Sequence, residues 1–86
     1  MLIALDYDGT YTTDPILFDA FIRQAKASGH EIICVTMRYP EEEIHMLCEI
    51  IYTSRQAKLP FMGGLGRMPD IWIDDNPRFI LVGENS

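Results

Sequence analysis

The sequence predicts an α/β fold of the three-layer, Rossmann-like kind, with a small, mostly parallel sheet of about four strands. Three observations predict it. Short apolar, β-branched runs alternate with segments of helical period. The runs are apolar throughout, as in strands covered on both faces. With 86 residues, the chain is expected to form one domain over residues 1–86, with no linker, repeat or low-complexity segment.

Leu2 to Leu5 is a continuous apolar run that stops at Asp6, and it reads as a buried strand. Asp8-Gly9-Thr10 breaks it as a loop. Asp14 followed by Pro15 is a helix start, an N-cap acceptor before proline at the first helical position. Leu17, Phe18, Phe21, Ile22 and Ala25 then mark one apolar helix face, and Gly29 ends the helix. Glu31 to Thr36 reads as a second buried strand. Pro40, with Glu41, Glu42 and Glu43 in the first turn, predicts another helix with Ile44, Leu47 and Cys48 on its inner face. Ile50 to Thr53 reads as a third short strand. Ser54 to Pro69 is less regular, with helix expected around Gln56 to Met62. Asp70 to Asp74 reads as the fourth strand, Asn76-Pro77 as the start of a last helical turn, and Glu84-Asn85-Ser86 as a frayed tail.

Composition narrows the function classes. Hydrophobic residues are 48% and charged residues 23%, as in an ordinary globular domain and not a disordered chain. A formal net charge of −6 argues against binding duplex nucleic acid, where affinity comes mainly from Lys and Arg on phosphates. It does not argue against a phosphate ester if a metal ion supplies positive charge locally. No apolar run is long enough for a membrane span. The start Met1 to Asp6 has no basic lead and meets an acid early, so a cytoplasmic location without membrane attachment is expected. Cys34 and Cys48 have no metal-ligand spacing and read as reduced thiols, Cys34 buried.

In parallel sheets, ligands bind at the carboxyl ends of the strands. Asp6, Thr36, Thr53 and Asp74 all fall at such ends. In Asp6-Tyr7-Asp8-Gly9-Thr10, alternate residues share a side, so Asp6 and Asp8 can address one site. Two close carboxylates repel unless a cation compensates, and magnesium is a hard cation that shares sites with phosphate. Asp74-Asp75 is a second acidic pair on the same sheet edge, and two such pairs together are costly without a bound cation. Thr36 can donate its hydroxyl to a phosphoryl oxygen, and Arg38 can add a charge-assisted hydrogen bond. Lys58 can neutralise both the carboxylates and a transferring group.

The order Asp6-x-Asp8-Gly9-Thr10, Thr36 closing a strand, Lys58, then Asp74-Asp75 closing another resembles the haloacid dehalogenase superfamily, from Asp6 to Asp75. The resemblance implies that Asp6 attacks phosphorus and binds magnesium. Asp8 would be general acid and then general base, its backbone carbonyl a metal ligand. Thr36 and Lys58 would hold the phosphoryl oxygens. Asp74 would bind Mg²⁺ directly, and Asp75 would assist it. Asp8 as the second acid points to the phosphatase branch and away from dehalogenation. The expected substrate is a small phosphorylated metabolite: a nucleotide, an ADP-ribose-like compound or a sugar phosphate.

The intervals between the motifs leave no room for a cap domain. An open site suggests either a homo-oligomer in which Tyr39, Phe61 and Met62 meet a neighbouring subunit, or a monomer with a shallow, promiscuous site. Tyr7, Tyr11, Tyr39 and Phe61 fall near the expected site loops, where one could stack on a base or sugar. His30 and His45 read as surface residues, Trp72 as core, and Gly63 to Gly66 as a flexible connection. Two rival functions use similar residues. One is a nucleotide-binding or sequestering protein without turnover. The other is a phospho-receiver, against which the late position of Asp74-Asp75 counts.

Overall fold

The computed structural model describes residues 1–84. Four strands form one all-parallel sheet: β1 (Leu2–Leu5), β2 (Glu31–Thr36), β3 (Glu49–Tyr52) and β4 (Ile71–Ile73), in the order β3-β2-β1-β4. The helices are α1 (Pro15–Ala27), α2 (Lys58–Gly64) and α3 (Arg78–Leu81), with one 3-10 turn at Tyr11–Thr13. Every expected strand is present. Asp14 caps α1 through its carboxylate, which accepts from the Leu17 amide at 3.1 Å, and Pro15 follows it. Gly29, at φ 85°, ends the turn after that helix in a conformation that suits glycine.

The two faces of the sheet carry separate apolar clusters. Ile3, Leu5 and Ile32 pack with Ile22 and Ala25 of α1. Ala4, Ile33 and Val35 pack with Met62 of α2, flanked by Phe61 and Trp72. The two-residue period of the strands produces this division. The same period sets the side on which the first residues beyond each strand emerge. Asp6 continues the phase of Ala4, and Asp74 continues that of Trp72. Both therefore emerge on the α2 side, where Lys58 opens the helix.

Several expectations change. Residues 40–48 form no helix. The Glu42 amide closes a turn on the Tyr39 carbonyl at 2.9 Å, and the Glu42 carboxylate accepts from the Tyr39 amide and from Arg55. The Ile44 amide donates to the Tyr52 hydroxyl at 3.2 Å. These side chains compete for the groups a helix would have used. Ile44 is buried, and Met46 and Cys48 pack on the α1-side cluster, while His45 and Leu47 are exposed. That is the period of extended chain, not of a helix. Leu17 also leaves the α1 core face and is 56% exposed.

Met62 is fully buried in the core, and Phe61 packs beside it, so neither is a loop group awaiting a neighbour. Gly63 and Gly64 belong to the last turn of α2. Glu84 is held, its amide donating to the Arg55 carbonyl at 3.0 Å and its carboxylate 3.3 Å from Arg55 Nε. Asn85 and Ser86 lie outside the described residues. Cys34 is buried, and burial pushes its thiol pKa up. Among the described residues no helix is long and apolar enough to cross a membrane.

Candidate active site

From β1 the chain winds outward through β2 to β3, then returns to place β4 on the other side of β1. The carboxyl ends of β1 and β4 thus flank the point where winding reverses, the usual position of a ligand crevice in such sheets. Leu5 is in register with Ile73, and the Asp6 amide extends that ladder to the Ile73 carbonyl at 2.9 Å. Asp6 and Asp74 therefore leave adjacent strand ends together. On the other side of β1, β2 ends in Thr36, whose carbonyl accepts from the Thr53 amide at 2.8 Å.

Lys58 Nζ lies 2.8 Å from Asp6 Oδ1 and 2.6 Å from Asp74 Oδ2. Lys58 is 2% exposed and Asp6 8%, so this is a buried carboxylate–ammonium–carboxylate bridge. The second Asp6 oxygen, Oδ2, accepts from the Thr10 hydroxyl at 3.1 Å. The Thr10 oxygen also lies 3.0 Å from Asp75 Oδ1 and accepts from the Asp75 amide at 3.0 Å. Thr10 thereby ties the loop after β1 to the loop after β4. Gly9 stands at φ 80°, and a Cβ built there would lie 2.5 Å from Asp75 Oδ2. The first loop can pass this close to Asp75 only without a side chain.

Asp6, Asp74 and Asp75 each offer a carboxylate oxygen within 4.8 Å of the others. An all-oxygen donor set with one shared lysine suits a hard divalent cation such as magnesium. The Asp8 carboxylate lies outside this trio and is gripped by Arg38, with Nε 2.9 Å from Oδ2 and Nη2 2.8 Å from Oδ1. Arg38 in turn lies over the Tyr7 ring, 5.3 Å from its centroid, and Tyr7 stacks on Tyr11.

The electrostatics separate the two acids. Burial pushes the Asp6 carboxyl up to about 6, against the pull of Lys58, with Asp74 and Asp75 adding to the rise. The hydrogen bonds from Arg38 hold the Asp8 carboxyl below the ordinary carboxylate range. A raised folded-state pKa means that the folded chain holds the Asp6 proton more tightly than the unfolded chain. The stability this contributes is full below 3.8 and is lost as pH rises towards about 6. In chelator, wild-type stability is thus expected to fall more steeply across that window than that of Asp6→Asn. Urea melts of both proteins at a series of pH values check this; parallel pH profiles would contradict it.

Asp6, Asp8, Thr36, Arg38, Lys58, Asp74 and Asp75 all line one cavity of about 270 Å³. All seven residues singled out in the sequence are therefore brought together. Arg38 contacts Asp8, where a phosphoryl contact was expected. The Thr36 hydroxyl accepts from the Arg38 amide at 3.3 Å. Two further residues, Thr10 and Arg55, carry no site role in the sequence reading. Thr10 is visible as the end of the Asp-x-Asp-Gly-Thr run, but its partner Asp75 lies far along the chain. Arg55 joins the cavity wall from a left-handed turn, with Ser54 at φ 53° and Arg55 at φ 69°. Its amide donates to the Met37 carbonyl at 2.8 Å, and its guanidinium pairs with Glu42 and lies 5.2 Å from the Tyr39 ring centroid. No single residue type announces such a turn.

Comparisons with family models, curated proteins and solved structures return no match.

Proposed function

We propose that this chain is a magnesium-dependent phosphomonoester hydrolase of the haloacid dehalogenase type, acting through an aspartyl-phosphate on Asp6. The observation that carries the reading is the meeting of Asp6, Lys58, Asp74 and Asp75 at one sheet edge, with Asp8 and Thr36 lining the same cavity. The Asp6 carboxylate is held from both sides, by Lys58 on Oδ1 and Thr10 on Oδ2. Such restraint orients a nucleophile before the substrate arrives. Lys58 and the Thr36 hydroxyl hold phosphoryl oxygens as charge builds on them. A carboxylate oxygen of Asp6 forms the bond to phosphorus as the ester oxygen leaves, taking its proton from the protonated form of Asp8, in which the Arg38 fork must open. Asp8, now ionised, accepts a proton from water as that water attacks the aspartyl-phosphate. Phosphate departs, and Asp6 and protonated Asp8 are restored.

Asp6, Asp74 and Asp75, with the Asp8 carbonyl by resemblance, would hold the magnesium ion, whose positive charge offsets that of the phosphoryl group. Activity is expected to vanish in excess chelator and to return with magnesium. At a magnesium concentration 100 times its dissociation constant, the folded state gains about 2.7 kcal/mol, read as a rise in melting temperature. Full activity in chelator, or no melting shift at millimolar magnesium, would exclude the metal.

The cavity, bordered by Arg38, Arg55, Asn76 and Phe79, suits a small phosphorylated metabolite such as a nucleotide, an ADP-ribose-like compound or a sugar phosphate. A panel of phosphomonoesters, assayed for released phosphate with and without magnesium, tests the activity and ranks these classes. One observation favours the rival reading, a nucleotide-binding protein without turnover: Asp8 is held by Arg38 and not free. Binding of nucleotide monophosphates with no phosphate release would establish it.

A further inference from the structure

The Asp8–Arg38 contact is a strong polar interaction in the cavity to which the proposed chemistry gives no role. Both oxygens of Asp8 are engaged by one edge of the guanidinium, at 2.9 and 2.8 Å. That fork geometry fixes the plane of the carboxylate as well as its distance. The Asp8 side chain is 56% exposed and the Arg38 side chain 30%, so packing alone does not hold Asp8 in one rotamer. Arg38 is itself restrained twice. Its guanidinium lies over Tyr7, which is stacked on Tyr11, and its amide donates to the Thr36 hydroxyl at 3.3 Å. The chain of contacts runs from the aromatic pair through Arg38 to Asp8. Lys58 meanwhile already supplies the buried cation beside Asp6.

We propose that Arg38 is a positioning residue for Asp8, and that its forked contact, not a contact to the phosphoryl group, is its contribution to turnover. The inference rests on the phosphatase reading of the same site. A general acid–base group must lie within hydrogen-bond reach of the oxygen it serves, and a displacement of about 1 Å can cost about 10²-fold in rate. Arg38 keeps the exposed carboxylate within that tolerance for the step in which Asp8 takes a proton from the attacking water. Lysine, a compact charge on a flexible stem, cannot reproduce the fork.

The test compares wild type with Arg38→Met, Arg38→Lys, Asp8→Asn and the double variant Asp8→Asn/Arg38→Met. All are assayed with magnesium on the best ester of the panel, with inorganic phosphate as competitive inhibitor. Arg38→Met is expected to lower kcat by about 10²-fold while changing KM and the inhibition constant of phosphate by less than about threefold, as loss of an interaction made only in the transition state does. Arg38→Lys is expected to recover only a small part of kcat. The double variant is expected to be no slower than Asp8→Asn alone, because Arg38 acts through Asp8. Where Arg38→Met folds poorly, as melting will show, Arg38→Lys with its own kcat and phosphate inhibition constant decides. A tenfold or greater weakening of phosphate inhibition with kcat preserved would make Arg38 a phosphate ligand and overturn the inference. So would a double variant much slower than Asp8→Asn. In either case wild-type activity leaves the phosphatase reading standing. An inactive wild type removes that reading and the inference with it.

Discussion

Replacing Asp6 by Asn is expected to lower phosphomonoester turnover by roughly 10³-fold or more, about 4 kcal/mol or more of activation barrier. Asp6, at the end of β1, is held on both oxygens, by Lys58 at 2.8 Å and Thr10 at 3.1 Å. Asn is nearly isosteric and keeps an oxygen for one of these donors, but it is a far poorer nucleophile. The fold should survive, because Lys58 retains Asp74 at 2.6 Å and the desolvation that raises the Asp6 pKa no longer opposes a charge. Steady-state assays on protein with an intact cooperative melt check the result. A folded Asp6→Asn protein with near wild-type activity would remove Asp6 as nucleophile.

Lys58→Met is expected to have the largest effect on stability. Its ammonium is 2% exposed and bridges two carboxylates whose side chains are 10% and 3% exposed. Removing one partner of a buried ion pair typically costs 3–5 kcal/mol, because the opposite charge is left buried and uncompensated. For a domain of 86 residues, whose total stability is on the order of 5–10 kcal/mol, that is a large fraction. Methionine keeps most of the stem's volume, so the loss is electrostatic. Acidic pH or added magnesium should restore part of it, since either relieves the crowding of negative charge at this sheet edge. Urea denaturation in chelator measures the loss; a change below about 1 kcal/mol would show that the lysine is not what holds these acids together.

Much of this arrangement was legible in the sequence because the sheet converts linear position into spatial position. An apolar run that stops at an acid or a threonine marks a strand's carboxyl end. Parallel strands bring those ends together, so Asp6, Thr36 and Asp74 meet at one edge although they are far apart in the chain. The helix expected after Pro40 failed for a physical reason. Ile44, Leu47 and Cys48 fit a helical period, but Ile44, Met46 and Cys48 fit an extended one equally well. Long-range partners decided between them: Arg55 takes the Glu42 carboxylate, and the Tyr52 hydroxyl accepts the Ile44 amide. Such partners are invisible to local pattern. The same holds for Thr10, which bridges to Asp75, and for Arg55, whose left-handed backbone lets one side chain reach Glu42 and Glu84.

The cavity wall has a consequence for the order of events during binding. Among its lining residues are five acids, Asp6, Asp8, Asp74, Asp75 and Glu84, against three bases, Arg38, Arg55 and Lys58. Each base is already paired with at least one acid. A phosphate dianion approaching the metal-free chain at neutral pH therefore meets net repulsion. That excess of two negative charges is cancelled only once a divalent cation has entered. Association is thus ordered by electrostatics, cation before or together with ester. Raising the ionic strength should speed capture of the ester by cation-free protein and slow capture of the cation.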